Sequence, residues 1–179
     1  MGVWVAFLRG INLGKRQVKM AELRTCLEAA GFSDIKTVVA SGNVRLGAQG
    51  DAEAIKAKLE QAIETQLGFK VGVVLRSEAD VTTMLKDHPF GRLDPKSDCT
   101  RHVLMFDQPL PSGVEIKDRP GHTEIMRIDI RDIYIAGYRQ PNGRYTEGVK
   151  EVLKPLYVQL GKGALDTMRN WNTIEKMLA

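Results

Sequence analysis

The run Leu8-Arg9-Gly10-Ile11-Asn12-Leu13-Gly14-Lys15 is the stretch best equipped for chemistry. It leaves the apolar run Val3 to Leu8 and turns at once into glycines, an arginine, an asparagine and a lysine. Glycine lets backbone approach a ligand closely, while Arg9, Asn12 and Lys15 can donate hydrogen bonds to an anion or a carbonyl. The spacing is not that of a P-loop, which has four residues between its glycines and Ser or Thr after the lysine; here three intervene and Arg16 follows. Nor is it the Gly-x-Gly-x-x-Gly dinucleotide turn. The expectation is a general anion site made of backbone N–H groups with Arg9, Gly10, Asn12, Gly14 and Lys15, against a reading in which the glycines serve only turn geometry.

Two further stretches carry the same residue types. In Arg169-Asn170-Trp171-Asn172-Thr173, either asparagine suits a helix cap, and the helix N-terminus beside Arg169 favours an anion. Trp171 offers either a stacking face for a base or an anchor for the core. Ser41 and Asn43 flank Gly42 in a turn-forming triplet, and they complete the candidate ligand-binding set. Lys15, Arg16, Lys19 and Arg24 form a small basic cluster near the first loop.

No catalytic constellation emerges. His88, His102 and His122 lack ligand spacing, so no metal site is expected, and no cofactor is implied. Cys26 falls on the apolar side of a helical pattern, and Cys99 lies in a loop. Two cysteines so far apart make neither a disulfide framework nor a zinc site, which suits a reducing cytoplasm. Nothing reads as a secretory or membrane-spanning segment, so no membrane partner is expected. Composition is that of a globular protein: 43% hydrophobic, 27% charged and a net charge of +4 with pI near 9.1. The charge permits nucleic-acid or phosphate partners without demanding them, and basic residues exceed acidic ones by the same small margin in both halves.

The elements that position these residues follow from periodicity. Val3 to Leu8 has the length and composition of a buried strand; Met20, Leu23, Leu27 and Ala30 have helical spacing with Gly31 as the stop. Ile35 to Ala40 and Val44 to Leu46 predict a hairpin about Ser41-Gly42-Asn43. Asp51 caps a helix through Leu67, Val71 to Leu75 is a strand, and Ser77 with Asp80 opens a short helix that His88-Pro89 ends. The order β-α-β-β-α-β is the ferredoxin-like arrangement.

Gly91 to Thr100 reads as a boundary, and the pattern then starts again. Strands are expected at His102 to Phe106, Glu124 to Ile130 and Ile133 to Tyr138, with a Pro- and Gly-rich stretch, Asp107 to Gly121, where a helix would stand. Thr146 is expected to cap a helix that Pro155 kinks, before a strand at Leu165 to Met168 and a last helix from Asn170 to Leu178. The fold class is α+β, with two ferredoxin-like halves of antiparallel sheet and packed helices, residues 1–90 and 91–179.

Leu8-Arg9-Gly10-Ile11-Asn12-Leu13-Gly14, Ser41-Gly42-Asn43-Val44 and Thr167-Met168-Arg169-Asn170-Trp171-Asn172-Thr173, in that order, resemble the marks of the domain-of-unknown-function family 1697. These are small bacterial cytoplasmic proteins. The resemblance implies ferredoxin-like halves and carries no activity. It departs at Lys15, where the family runs on to a second glycine, and at Gly143-Arg144-Tyr145-Thr146-Glu147, where the family has Gly-x-x-x-Ser-Lys. The leading expectation is a binding protein for an anionic small molecule or nucleic acid. Its rivals are a metal-independent enzyme acting on a small acidic or phosphorylated substrate, and a protein-interaction module of undetermined oligomeric state.

Overall fold

The computed structural model describes residues Met1–Ala179. The chain forms two compact units, one of Met1–Lys86 with Thr173–Ala179, the other of Asp87–Asn172.

In the first unit, the continuous apolar run becomes the inner strand β1 (Gly2–Arg9), whose Val5, Ala6, Phe7 and Leu8 are all buried. Helix α1 (Met20–Ala29) turns Leu23, Cys26 and Leu27 inward, and Gly31, at φ +85, lets the chain leave it. Strands β2 (Ser33–Val38) and β3 (Asn43–Ala48) make a hairpin. Helix α2 (Ala52–Leu67) starts where the Asp51 carboxylate accepts the Ala54 N–H at 2.8 Å, and it ends at the left-handed Gly68. Strand β4 (Gly72–Ser77) follows.

The sheet order is β2-β3-β1-β4 with every pairing antiparallel, the ferredoxin-like order. Ala6, Leu8, Val44, Leu46, Val73 and Leu75 share a core with Leu23, Leu27, Leu59 and Ile63 of the two helices. Helix α3 (Glu78–Lys86) opens with reciprocal bonds, Ser77 N–H to the Asp80 carboxylate and Asp80 N–H to the Ser77 hydroxyl, each 3.0 Å. That is the capping box expected from the spacing, with Asp in place of Glu.

The second unit repeats the strand order. Strands β5 (Cys99–Phe106), β6 (Thr123–Ile128), β7 (Asp132–Tyr138) and β8 (Asp166–Asn170) form an antiparallel sheet in the order β6-β7-β5-β8. Helix α4 (Val149–Leu160) packs Val149, Leu153 and Leu156 on Leu104, Phe106, Ile133 and Ile135. Between β5 and β6 no helix forms, as the prolines and glycines there imply, and half-buried Leu110, Val114 and Ile116 cover that core instead. Helix α5 (Trp171–Met177) closes the chain, and no helix is long and apolar enough to cross a membrane.

Two local expectations shift, and a third position is resolved. The second strand ends at Val38, not Ala40, because Val39 turns left-handed at φ +59 and opens the tight turn at residues 39–42. Thr146 is not the cap of α4: its carbonyl accepts the Val149 N–H at 3.2 Å, and buried Gly148 occupies the cap, where a Cβ would stand 2.5 Å from the His122 ring. Pro155 sits inside a helix that runs unbroken to Leu160.

Candidate functional site

The first loop is built around Asn12. Its amide nitrogen donates to the Ala40 carbonyl at 2.7 Å and to Val18 at 3.4 Å, and its oxygen accepts the Val18 N–H at 2.6 Å. One side chain therefore ties the loop to the hairpin turn and to its own return leg. Leu8 N–H adds a bond to the Gly42 carbonyl at 2.8 Å, and Ile11 is buried against Gly42, where a Cβ would lie 2.6 Å from its methyl group. Gly42 at φ +80 is thus required twice, for its backbone angle and for the space it leaves.

Gly10 and Gly14 adopt φ of +74 and +61, which bend the loop outward and back. Arg16 points inward, donating to the Gly10 carbonyl at 3.2 Å with its guanidinium 3.9 Å from the centre of the Phe69 ring. Leu13, Gly14 and Lys15 form an exposed knuckle, with Leu13 72% exposed. Arg9, Lys15 and Lys19 are exposed beside it. Ser41 is exposed and its hydroxyl accepts from Asn43 at 2.9 Å. Asn43 is fully buried; its amide also donates to the Val38 carbonyl at 2.9 Å, so it pins the turn from within. The structure thus brings Gly10, Asn12, Gly14 and Lys15 together with the turn that holds Ser41 and Asn43.

Arg169, Asn170, Trp171 and Asn172 belong to the second unit. Arg169 lies half-buried on β8 opposite Val103, and burial pulls its pKa down to about 10. The Asn170 side-chain Oδ1 accepts the Asn172 N–H at 2.9 Å, the capping role expected of it, and the Asn172 side-chain oxygen in turn accepts from Arg101 at 2.8 Å. Trp171 is 4% exposed, its ring 5.3 Å from that of Phe90 and 5.8 Å from that of Tyr134. Those distances are those of an aromatic cluster in a core.

One polar group carries no motif in the sequence. Tyr138 donates to the Glu124 carboxylate at 2.9 Å, and burial first, then that carboxylate, pushes its pKa up to about 12. These residues line a cavity of about 360 Å³ together with Arg92, Asp94 and Asp118. They are scattered through the sequence: Glu124 and Tyr138 stand on the paired strands β6 and β7, and Arg92, Asp94 and Asp118 come from loops. The only local signal was the polar composition of Gly91 to Thr100.

The fold and the two loops define an α+β protein with two sheets of ferredoxin-like order. The family described as protein of unknown function, DUF1697, matches residues 1–134, and the chain belongs to it. Among solved structures, a conserved bacterial protein of Streptococcus pneumoniae, SP0830, is similar with a TM-score of 0.69 at 22% identity, over 99% of this chain and 96% of that one. That likeness concerns the fold. No curated protein matches the chain.

Proposed function

We propose that the protein binds the phosphates of a nucleic-acid strand on the knuckle of its first loop, with Lys15, Lys19 and Arg9 as the cations and the glycine-bent backbone beside them. The observation that carries this reading is the Asn12 clamp. With its side chain committed to Val18 and Ala40, the Asn12 amide holds the Leu13 to Lys15 turn with Lys15 exposed. A preformed, exposed and basic turn suits a chain of phosphates, which needs contact along a surface, better than a single nucleotide, which needs a pocket. The rest of the candidate set supports it in a structural role: Gly10, Gly14, Ser41 and Asn43 shape the loop and the turn behind it.

Titration of a labelled single-stranded RNA at several salt concentrations tests the reading. Affinity is expected to fall as salt rises, and Lys15→Ala with Lys19→Ala should weaken binding while lowering the slope of log K against log salt by about 1 to 2. Asn12→Ala, which keeps every cation, should weaken binding by loosening the turn. Unchanged affinity in the double lysine variant would remove the loop from the site, and preference for a mononucleotide over RNA would move the site to a pocket.

A further inference from the structure

The cavity on the second unit has a chemistry opposite to that of the first loop. Its lining gathers three carboxylates, Asp94, Asp118 and Glu124, against one guanidinium, Arg92, around the Tyr138 hydroxyl and an apolar wall at Met126. Each carboxylate is oriented by the backbone. Glu124 accepts the Gly121 N–H at 3.0 Å, Asp118 the Ile125 N–H at 2.9 Å and Asp94 the Lys96 N–H at 2.9 Å.

These bonds leave acceptor capacity toward the cavity, since an ionised carboxylate offers about four lone-pair sites and Asp94 and Asp118 each meet one protein donor. Arg92, whose guanidinium donates to the Ile125 carbonyl at 2.9 Å, offsets one of the three negative charges, and the lining stays acidic. The Tyr138 hydroxyl is held by Glu124, and its ring completes the wall.

We infer that this cavity is a binding site for a small organic cation of the alkyl-polyamine class, its ammonium groups on Asp94, Asp118 and Glu124 and its methylenes along Met126 and the Tyr138 ring. Asp94 comes from the loop before β5, and Asp118 and Glu124 from the two sides of the turn closed by Arg119 and Thr123, so the negative charge has two sources in the chain and suits a ligand with more than one ammonium group. The apolar wall and the aromatic ring give methylenes and an ammonium surfaces that a hydrated metal ion would not use. About 360 Å³ lies within the range of small-molecule pockets, about 300 to 1,000 Å³. The site is independent of the nucleic-acid reading of the first loop.

Calorimetric titration of the full chain with spermidine at physiological salt tests it. Saturable binding of one spermidine per chain is expected, at least tenfold weaker in Asp94→Asn with Asp118→Asn, whose carboxamides keep shape and lose charge. Met126→Lys, which places a tethered ammonium in the cavity, should abolish binding, while Lys15→Ala with Lys19→Ala should leave it unchanged. Absence of saturation, equal affinity in the carboxamide variant, or displacement of spermidine by magnesium at matched ionic strength would each overturn the assignment.

Discussion

The two halves reach the same sheet by different crossovers. In the first, α1 carries the chain from the first strand to the second and buries Leu23 and Leu27 completely. In the second, the path from Phe106 to Thr123 contains Pro109, Pro111, Pro120 and two glycines, and it covers the core with half-buried Leu110, Val114 and Ile116. Both halves still order their strands second, third, first, fourth, and both edge strands opposite the third, β2 and β6, carry a register shift. A crossover helix is therefore not what sets strand order here. The crossover has to span the sheet and deliver some apolar cover, while the alternation of the strands and their turns fixes the register.

Stability measurements sharpen this contrast most. Leu27→Ala in α1 should cost about 2 to 5 kcal/mol in chemical denaturation, the usual loss for a fully buried leucine. Leu110→Ala in the irregular crossover should cost about 1 kcal/mol, since that side chain is only partly withdrawn from water. Equal losses would mean that the segment packs as tightly as a helix and would erase the distinction.

A smaller effect is expected in the helix that the second half does keep. Pro155 within α4 cannot donate to the carbonyl four residues back, and it is exposed. Pro155→Ala should therefore raise the midpoint of thermal unfolding, by an amount equivalent to about 1 kcal/mol. A fall instead would show that this half depends on the bend a proline imposes.

The smallest effect concerns pH. Burial and then the bond to Glu124 lift Tyr138 from 10 to about 12, so the folded chain holds this proton more tightly than the unfolded one. The resulting stabilisation is complete below pH 10 and lost as pH rises from 10 to 12. Spectrophotometric titration should find one tyrosine ionising near 12, and Glu124→Gln should bring it back toward its ordinary value. No counterpart is expected in the first half, which contains no tyrosine.

Much of the fold was legible because its signals are local. The capping box at Ser77 and Asp80, the Asp51 cap, the glycine stops at Gly31 and Gly68 and the proline-rich gap after Phe106 each depend on residues within a few positions of one another. The misplaced end of the second strand shows the limit. Val38, Val39 and Ala40 read as one apolar run, yet Asn12, far off in sequence, takes the Ala40 carbonyl and Val39 turns out to solvent, 53% exposed. Thr146 fails as a cap for a similar reason, since His122 leaves room only for glycine next to the helix.

What the sequence determined by itself was the succession of elements, the glycine-bent loop at its start and the capping asparagine near its end, because propensity and capping act over a turn or less. Only the tertiary structure decided that Asn12 would clamp two segments, that Trp171 would join Phe90 and Tyr134 in a buried cluster, and that Asp94, Asp118, Glu124 and Tyr138 would face one cavity. Those outcomes depend on contacts between residues distant in the chain, and no local pattern encodes which distant partner a donor or a ring will meet.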